Sequence, residues 1–112
     1  MPNYFADLPT VVMVGPFEVY ITVVPKINKS DSLGEYTPTT HGGHIRLKQN
    51  HRTPTEALDT VTHEVLHAIW DKAAVNPAFE EDMVAKVATW QTGVWMSNHK
   101  LFTWMAKCIT EV

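Results

Sequence analysis

The segment that most constrains the fold is a helix whose start is clearly marked near residue 53. Thr53 stands at the N-cap position, Pro54 follows at the first helical position, and Glu56 lies three residues after the cap. A threonine and a glutamate at this spacing can bind free backbone N–H groups, and a proline costs nothing where an N–H has no partner. Apolar residues then recur at helical spacing as far as Ile69. The pattern predicts a helix over residues 55–74 with one buried stripe.

This helix carries the sequence His63-Glu64-Val65-Leu66-His67. A helix turns by about 100° per residue, so residues four apart lie about 40° apart around the axis, one turn along. Two imidazoles so placed can reach one cation, and Glu64 points toward the same opening. In this H-E-x-x-H pattern the histidines bind zinc and the carboxylate takes a proton from zinc-bound water. The alternative is a pair of histidines that only pack or form hydrogen bonds, and the strong helix signal favours the metal site.

A zinc site of this kind needs a third protein ligand, with the fourth position left for water. Asn76 and Pro77 predict the cap and first position of a second helix, which continues through Glu80, Glu81 and Asp82. Acidic residues in a first turn complement the helix dipole and often have no other role. Glu80 and Glu81 also stand at helical spacing from apolar residues, so either can face the first helix.

The stretch HEVLHAIW followed by FEEDMVAKVA is similar to the zincin metallopeptidases in which a glutamate on the next helix is the third zinc ligand. More narrowly, the chain resembles the very small metallopeptidase domains of bacteriophage and prophage genomes, which are similar in layout to ImmA/IrrE-like domains. The resemblance covers roughly residues 17–105. The chain departs from related families in having no Met-turn, no third histidine at metzincin spacing and no asparagine after the glutamate.

In these small domains the ligand glutamate is followed at three, six and seven residues by small or apolar residues. Glu81, followed by Val84, Val87 and Ala88, fits this frame better than Glu80 does. The resemblance therefore implies that Glu81 is the third ligand.

The same resemblance implies zinc-dependent hydrolysis of peptide bonds in a peptide or protein substrate. Zn²⁺ would be held by His63, His67 and Glu81, and Glu64 would be the catalytic base. The implied fold is of the α+β class, a minimal zincin-like domain. It has a small two- to three-stranded sheet packed on three helices, with the HExxH helix central.

Length and composition narrow the remaining function classes. The 112 residues suit one domain, residues 1–112, with an N-terminal arm over residues 1–9. A formal net charge of −3 and scattered Lys and Arg argue against nucleic-acid binding, which needs a clustered positive surface. The single cysteine, Cys108, excludes an internal disulfide and favours a reducing compartment. With no apolar run of membrane-spanning length and no signal peptide, we expect a cytoplasmic protein, in the host cytoplasm if phage-encoded.

Two segments alternate in the manner of β-strands, residues 17–24 and 44–48. The stretch between them, residues 27–40, has the composition of a loop. In small zincins, as the resemblance implies, a strand just before the HExxH helix forms the rim of the cleft. We expect the strand over residues 44–48 to be this edge strand, to which an extended peptide can add through its backbone.

Three side chains are candidates for stabilising the oxyanion of a tetrahedral intermediate, namely Tyr36, His41 and His44. The two histidines flank a Gly pair, so a second metal site and an exposed turn are the alternatives for them. Asp71, one turn beyond His67, is a candidate partner for a ligand imidazole.

The other histidines and the tryptophans are expected to be structural. His51 and His99 lack ligand spacing to the HEVLH stretch, and we expect both at the surface. Helical spacing assigns the tryptophans and Cys108 to the core, except Trp70, which lies seven residues from His63 on the same side of the helix.

Two other functions remain open. The chain can be a non-catalytic, zinc-stabilised regulatory or interaction module of a phage, or a hydrolase of cell-wall peptide bridges. A purely structural zinc has no use for an adjacent base, so Glu64 favours catalysis. A domain this small can also need a protein partner that completes its substrate cleft.

Overall fold

The computed structural model describes residues 3–27, 32–73 and 80–110, and for residues 80–86 and 88 it describes the backbone alone. Four strands precede three helices. The strands are β1 (Val11–Val14), β2 (Phe17–Val24), β3 (Gly34–Thr39) and β4 (Gly42–Lys48), and the helices are α1 (Pro54–Ala73), α2 (Glu80–Ser97) and α3 (His99–Thr110).

The strands form one mixed sheet in the order β1-β2-β4-β3. β1 pairs with β2 and β3 pairs with β4 in antiparallel fashion, while β2 and β4 run parallel. The α+β class is therefore confirmed, with four strands where two to three were expected. One strand that was not predicted is β3, which lies in the stretch predicted to be loop, residues 27–40. Its burial decreases along the strand and its sequence, GEYTPT, lacks apolar alternation, so periodicity alone does not reveal it.

The expected edge strand is wrong. β4, which contains residues 44–48, lies between β2 and β3. Ile45 and Leu47 are 1% and 0% exposed, so this strand belongs to the centre of the sheet. Local alternation shows which face of a strand is buried, but it does not reveal how many neighbours the strand has. The edge strand beside the HExxH helix is β3.

Helix α1 is central, as expected, since it packs on β1, β3, β4, α2 and α3. Its start follows the predicted cap, because the N–H of Glu56 donates to Oγ1 of Thr53 at 3.0 Å. The Glu56 carboxylate accepts a hydrogen bond from the N–H of Arg52 at 2.9 Å. In a capping box it would accept from the N–H of the cap residue itself, Thr53. Its inner face carries Val61 and Ile69, which are 2% and 0% exposed and join the sheet residues in a single core.

The predicted start of the second helix at residues 76–77 lies outside the described residues. Ser97 is the last residue of α2, and the residue before α3 is Asn98. Its side chain accepts from the N–H of Met13 at 2.8 Å and donates to the Met13 and Val94 carbonyls at 2.9 and 2.7 Å. Asn98 therefore covers the outer edge of β1.

Within the described ranges, no helix combines the length and hydropathy that crossing a membrane requires.

Candidate metal centre and cleft

The two histidines of the HEVLH stretch meet at the surface of α1. Nε2 of His63 lies 3.1 Å from Nε2 of His67, and the rings are 4.7 Å apart at their centroids with an interplanar angle of 77°. Zinc bonds of about 2.0–2.1 Å in tetrahedral geometry place two nitrogens about 3.3 Å apart. The pair therefore fits a shared zinc ion. The same distance also suits an N–H···N hydrogen bond, so the fit does not itself identify a metal.

The third ligand is expected on α2. The side chains of Glu81 and Glu80 lie outside the described residues, although both residues belong to α2, which packs against α1. Among the side chains that are described, no three His, Cys, Asp or Glu converge as a metal site. Glu81 as ligand thus remains a prediction.

Glu64 is buried beside the histidine pair, with 5% of its surface exposed. Burial raises the pKa of its carboxyl above the usual range, and the imidazoles of His63 and His67 act in the opposite direction. A carboxylate in this position is more basic than one in water, which suits a group that accepts a proton.

Strand β3 lies so close to Glu64 because residue 34 has no side chain. A Cβ placed on Gly34 would lie 2.9 Å from Cγ2 of Thr60 and 3.1 Å from Cγ of Glu64. Glycine here lets the backbone of the edge strand approach the carboxylate directly.

An open cleft of about 460 Å³ runs along the junction of β3 and α1. One wall is the edge strand and the other is the outer face of α1. The lining residues are Gly34, Glu35, Tyr36 and Pro38 from β3, and His63, Glu64, His67, Trp70 and Asp71 from α1. The predicted ligand pair, the predicted base and Trp70 therefore share one cleft with a strand that the sequence pattern does not reveal.

Tyr36 connects the two walls. Its hydroxyl donates to Oδ2 of Asp71 at 2.8 Å, and its ring lies over Gly43, where a Cβ would come within 2.5 Å of the ring. Burial, followed by the contact with Asp71, raises the pKa of Tyr36 above its usual range, so the hydroxyl stays protonated at neutral pH. The partners found for Asp71 are Tyr36 and, at 3.2 Å, Lys72. The predicted pairing of Asp71 with an imidazole is replaced by a bond across the cleft.

The other two oxyanion candidates lie elsewhere. His44 is on β4 between the inward-facing Gly43 and Ile45, so it faces away from the helices, and its Nε2 lies 2.7 Å from Oγ1 of Thr22. His41 is exposed in the turn between β3 and β4. Neither residue lines the cleft, whereas Tyr36 does.

His51 is not at the surface as expected, because none of its area is exposed. Its Nε2 lies 3.0 Å from Oγ1 of Thr60, and the ring of Phe5 contacts it edge-on at 4.9 Å. Burial lowers the pKa of His51, which favours the neutral imidazole in the fold. Its position in a short polar loop carries no periodic signal that would have revealed this burial. His99 is exposed, as expected.

The remaining structural assignments are mixed. Trp104 and Cys108 are 2% and 4% exposed, which confirms them as core residues, and Trp90 packs partly buried against that core. Trp95, in contrast, is 41% exposed and was wrongly assigned to the core. Trp70 is 39% exposed, in agreement with its expected place on the His63 side of the helix.

Strand β3 is an edge strand of the described sheet, and it presents backbone groups to the cleft. The N–H of Lys48 donates to the carbonyl of Leu33 at 2.8 Å, which makes these two residues a hydrogen-bonded pair. Since such pairs alternate along an antiparallel ladder, the backbone groups of Gly34, Tyr36 and Pro38 point away from β4. Pro38 has no N–H to leave unpaired, a common feature of edge strands.

Comparison with protein-family models, with curated proteins and with solved structures finds no match to this chain. The functional interpretation therefore depends on the residues and geometry of the cleft itself.

Proposed function

We propose that this chain is a zinc-dependent metallopeptidase of the small zincin kind found in phage and prophage genomes, and that it hydrolyses peptide bonds in a peptide or protein substrate. The observation that carries the proposal is the 3.1 Å approach of the His63 and His67 Nε2 atoms beside the buried carboxylate of Glu64. A purely structural zinc would not need a carboxylate held next to its ligands in an open cleft.

The ligands in this proposal are the neutral imidazoles of His63 and His67 and the carboxylate of Glu81, with Glu80 as the alternative. Bound zinc supplies a Lewis acid that polarises a carbonyl and lowers the pKa of water to about 7.

Glu64 moves the proton. Its carboxylate accepts a proton from the attacking water and returns it to the nitrogen of the departing amine. The raised pKa of Glu64 brings the two protonation states closer in free energy near neutral pH, which favours both transfers.

Tyr36 and β3 hold the substrate in this scheme. The outward-facing backbone of Gly34 and Tyr36 can pair with an extended peptide, which gives affinity with little demand on sequence. The protonated hydroxyl of Tyr36 lines the same cleft and can donate to the oxygen of the scissile carbonyl once it leaves Asp71. A protein partner that extends the cleft is compatible with this arrangement.

We assign the protein to the cytoplasm, the host cytoplasm if a phage encodes it. The support is that Cys108 is the single cysteine of the sequence, so the chain forms no internal disulfide and suits a reducing compartment.

The test measures zinc content and peptide hydrolysis side by side. Wild type should bind one zinc and cleave an unstructured protein, His63→Ala should lose both properties, and Glu64→Gln should keep the zinc and lose cleavage. His99→Ala, which changes an exposed histidine on α3, is the matched control and should behave as wild type. Full hydrolysis by Glu64→Gln would refute the proposal. Zinc that raises the melting temperature without hydrolysis would identify a zinc-stabilised module, and cleavage of peptidoglycan fragments alone would identify a cell-wall hydrolase.

A further inference from the structure

The cleft has a direction, because β3 and α1 run the same way along it. Gly34 lies against Glu64, the hydroxyl of Tyr36 reaches Asp71, and Nζ of Lys72 donates to the carbonyl of Thr39 at 3.1 Å. Moving along the strand from residue 34 to residue 39 therefore also moves along the helix, away from the histidine pair.

The end of the cleft away from the histidine pair is lined by the ring side chains of Trp70, Tyr36 and Pro38. Trp70 follows His63 by seven residues, which places it about 10 Å along the helix and nearly in line with it. Trp70 is 39% exposed and lines the cleft. Pro38 and the ring of Tyr36 supply the opposite wall.

The charges near this end already have partners. The Asp71 carboxylate accepts from the Tyr36 hydroxyl and pairs with Lys72 at 3.2 Å. Lys72 in turn binds the Thr39 carbonyl and lies over the ring of Phe17 at 5.0 Å. The Glu35 carboxylate pairs with Arg46. Among the side chains that the structure describes at this end, what remains for a ligand is apolar surface and not an unpaired charge.

The direction in which a peptide pairs with β3 determines which of its residues would lie over Trp70. Antiparallel addition, the slightly more stable mode, would run a peptide along β3 from the Pro38 end toward Gly34 and Glu64. Along the helix, Trp70 is about 7.5 Å beyond the midpoint of the two histidines and about 10.5 Å beyond His63, which corresponds to two or three residues of extended peptide. A side chain over Trp70 would therefore precede the cleaved bond.

We propose that Trp70, Pro38 and the Tyr36 ring form a subsite for a large apolar or aromatic side chain two or three residues N-terminal to the cleaved bond. The substrate is then an exposed, extended segment with an aromatic residue upstream of the cut. The position relative to the cut rests on the proposed peptidase function, whereas the preference for an aromatic side chain concerns binding alone.

Exposure of an indole would not suffice for this assignment. Trp95 on α2 is 41% exposed, slightly more than Trp70, and it packs against Phe102 outside the cleft. Trp70 differs because it stands in the cleft of the histidine pair, opposite the free backbone of β3. This makes Trp95 a matched control.

The binding experiment uses zinc-loaded Glu64→Gln protein, which should hold a peptide without cutting it. Fluorescein-labelled octapeptides of alanine and serine carry Phe, Leu, Lys or Asp at one central position, and anisotropy gives each Kd. The Phe peptide should bind about tenfold more tightly than the Lys and Asp peptides. Adding Trp70→Ala should abolish this difference, while adding Trp95→Ala should preserve it. Equal binding of all peptides, binding of none, or retention of the preference in the Trp70→Ala protein would overturn the subsite.

Cleavage mapping separates this inference from the proposed function. Wild type acting on an unfolded protein, with the products read by mass spectrometry, should show aromatic residues enriched two or three positions before the cuts. Cuts without that enrichment would keep the peptidase and overturn the subsite. Aromatic-selective binding with no cuts would keep the binding preference and overturn the peptidase.

Discussion

The Tyr36 hydroxyl donates a hydrogen bond to Oδ2 of Asp71 at 2.8 Å, and this bond joins the edge strand β3 to helix α1 across the cleft. The two residues are 35 apart in the chain and belong to different kinds of element. Their bond sets the position of one cleft wall relative to the other, and it keeps a protonated phenol within the cleft.

Tyr36→Phe should separate the contribution of the Tyr36 hydroxyl to stability from its contribution to catalysis. Loss of one hydrogen bond should lower the free energy of unfolding by about 1 kcal/mol. If the hydroxyl also stabilises an oxyanion, kcat should fall by about 10²-fold with zinc content unchanged. Urea denaturation and steady-state kinetics measure the two effects. An unchanged kcat would remove Tyr36 from the reaction and leave it as a structural tie. Asp71→Asn, which keeps an acceptor for the hydroxyl, should retain most of the stability.

Gly34→Ala should disturb the cleft directly. The added methyl would lie 2.9 Å from Thr60 and 3.1 Å from Glu64, so the strand must move away from the helix. We expect a loss of about 1–3 kcal/mol in the free energy of unfolding. The control is Gly93→Ala in α2, where a Cβ would meet nothing within 4 Å and helix propensity predicts a gain of about 0.5–1 kcal/mol. Equal effects of the two substitutions would contradict the close approach of β3 to Glu64.

Asn98 should be a stability determinant because it completes the edge of β1. Asn98→Asp exchanges two donated hydrogen bonds, to the carbonyls of Met13 and Val94, for repulsion between oxygens. We expect it to lower the free energy of unfolding by about 1–3 kcal/mol. The exposed Asn50 provides the matched substitution, Asn50→Asp, which should change this free energy by less than about 0.5 kcal/mol. Comparable urea midpoints for both variants would show that the Asn98 contacts contribute little.

His51 predicts a pH-dependent stability. Burial lowers its pKa in the folded chain below the value near 6.5 expected when unfolded, so the unfolded chain binds the proton more readily. The contribution of neutral His51 is therefore complete above about pH 6.5 and is lost as pH falls below that value. Urea denaturation between pH 5 and 8, in chelator, should show a weaker pH dependence for His51→Gln than for wild type. His99→Gln, at an exposed site, should keep the wild-type slope. Parallel slopes for wild type and His51→Gln would contradict the burial.

Glu81 and Glu80 can be distinguished by their effect on zinc affinity. Glu81→Gln should weaken zinc binding by at least about 10-fold, because the amide replaces a charged ligand, and Glu80→Gln should leave the affinity near wild type. Competition with a chromogenic chelator measures both variants. If only Glu80→Gln weakens zinc binding, then Glu80 is the ligand. If neither substitution changes the zinc affinity, then neither Glu80 nor Glu81 binds the zinc.

Short-range features were predictable from the sequence because they depend on neighbouring residues. The cap at Thr53, the inward face of α1 and the pairing of His63 with His67 all follow from a period of 3.6 residues. Alternation likewise predicted the strand over residues 17–24. In each case the interacting groups lie within one or two turns, or on one face of a single strand.

Only the tertiary structure decided which elements become neighbours. It placed β3 at the edge and β4 at the centre, brought Tyr36 to Asp71 and buried His51 against Thr60. The physical reason is that these contacts join residues that no local period relates, and they form only when the sheet and α1 bury their apolar faces together. The sequence by itself determined a helix that presents two imidazoles and a carboxylate, and packing determined the cleft in which they stand.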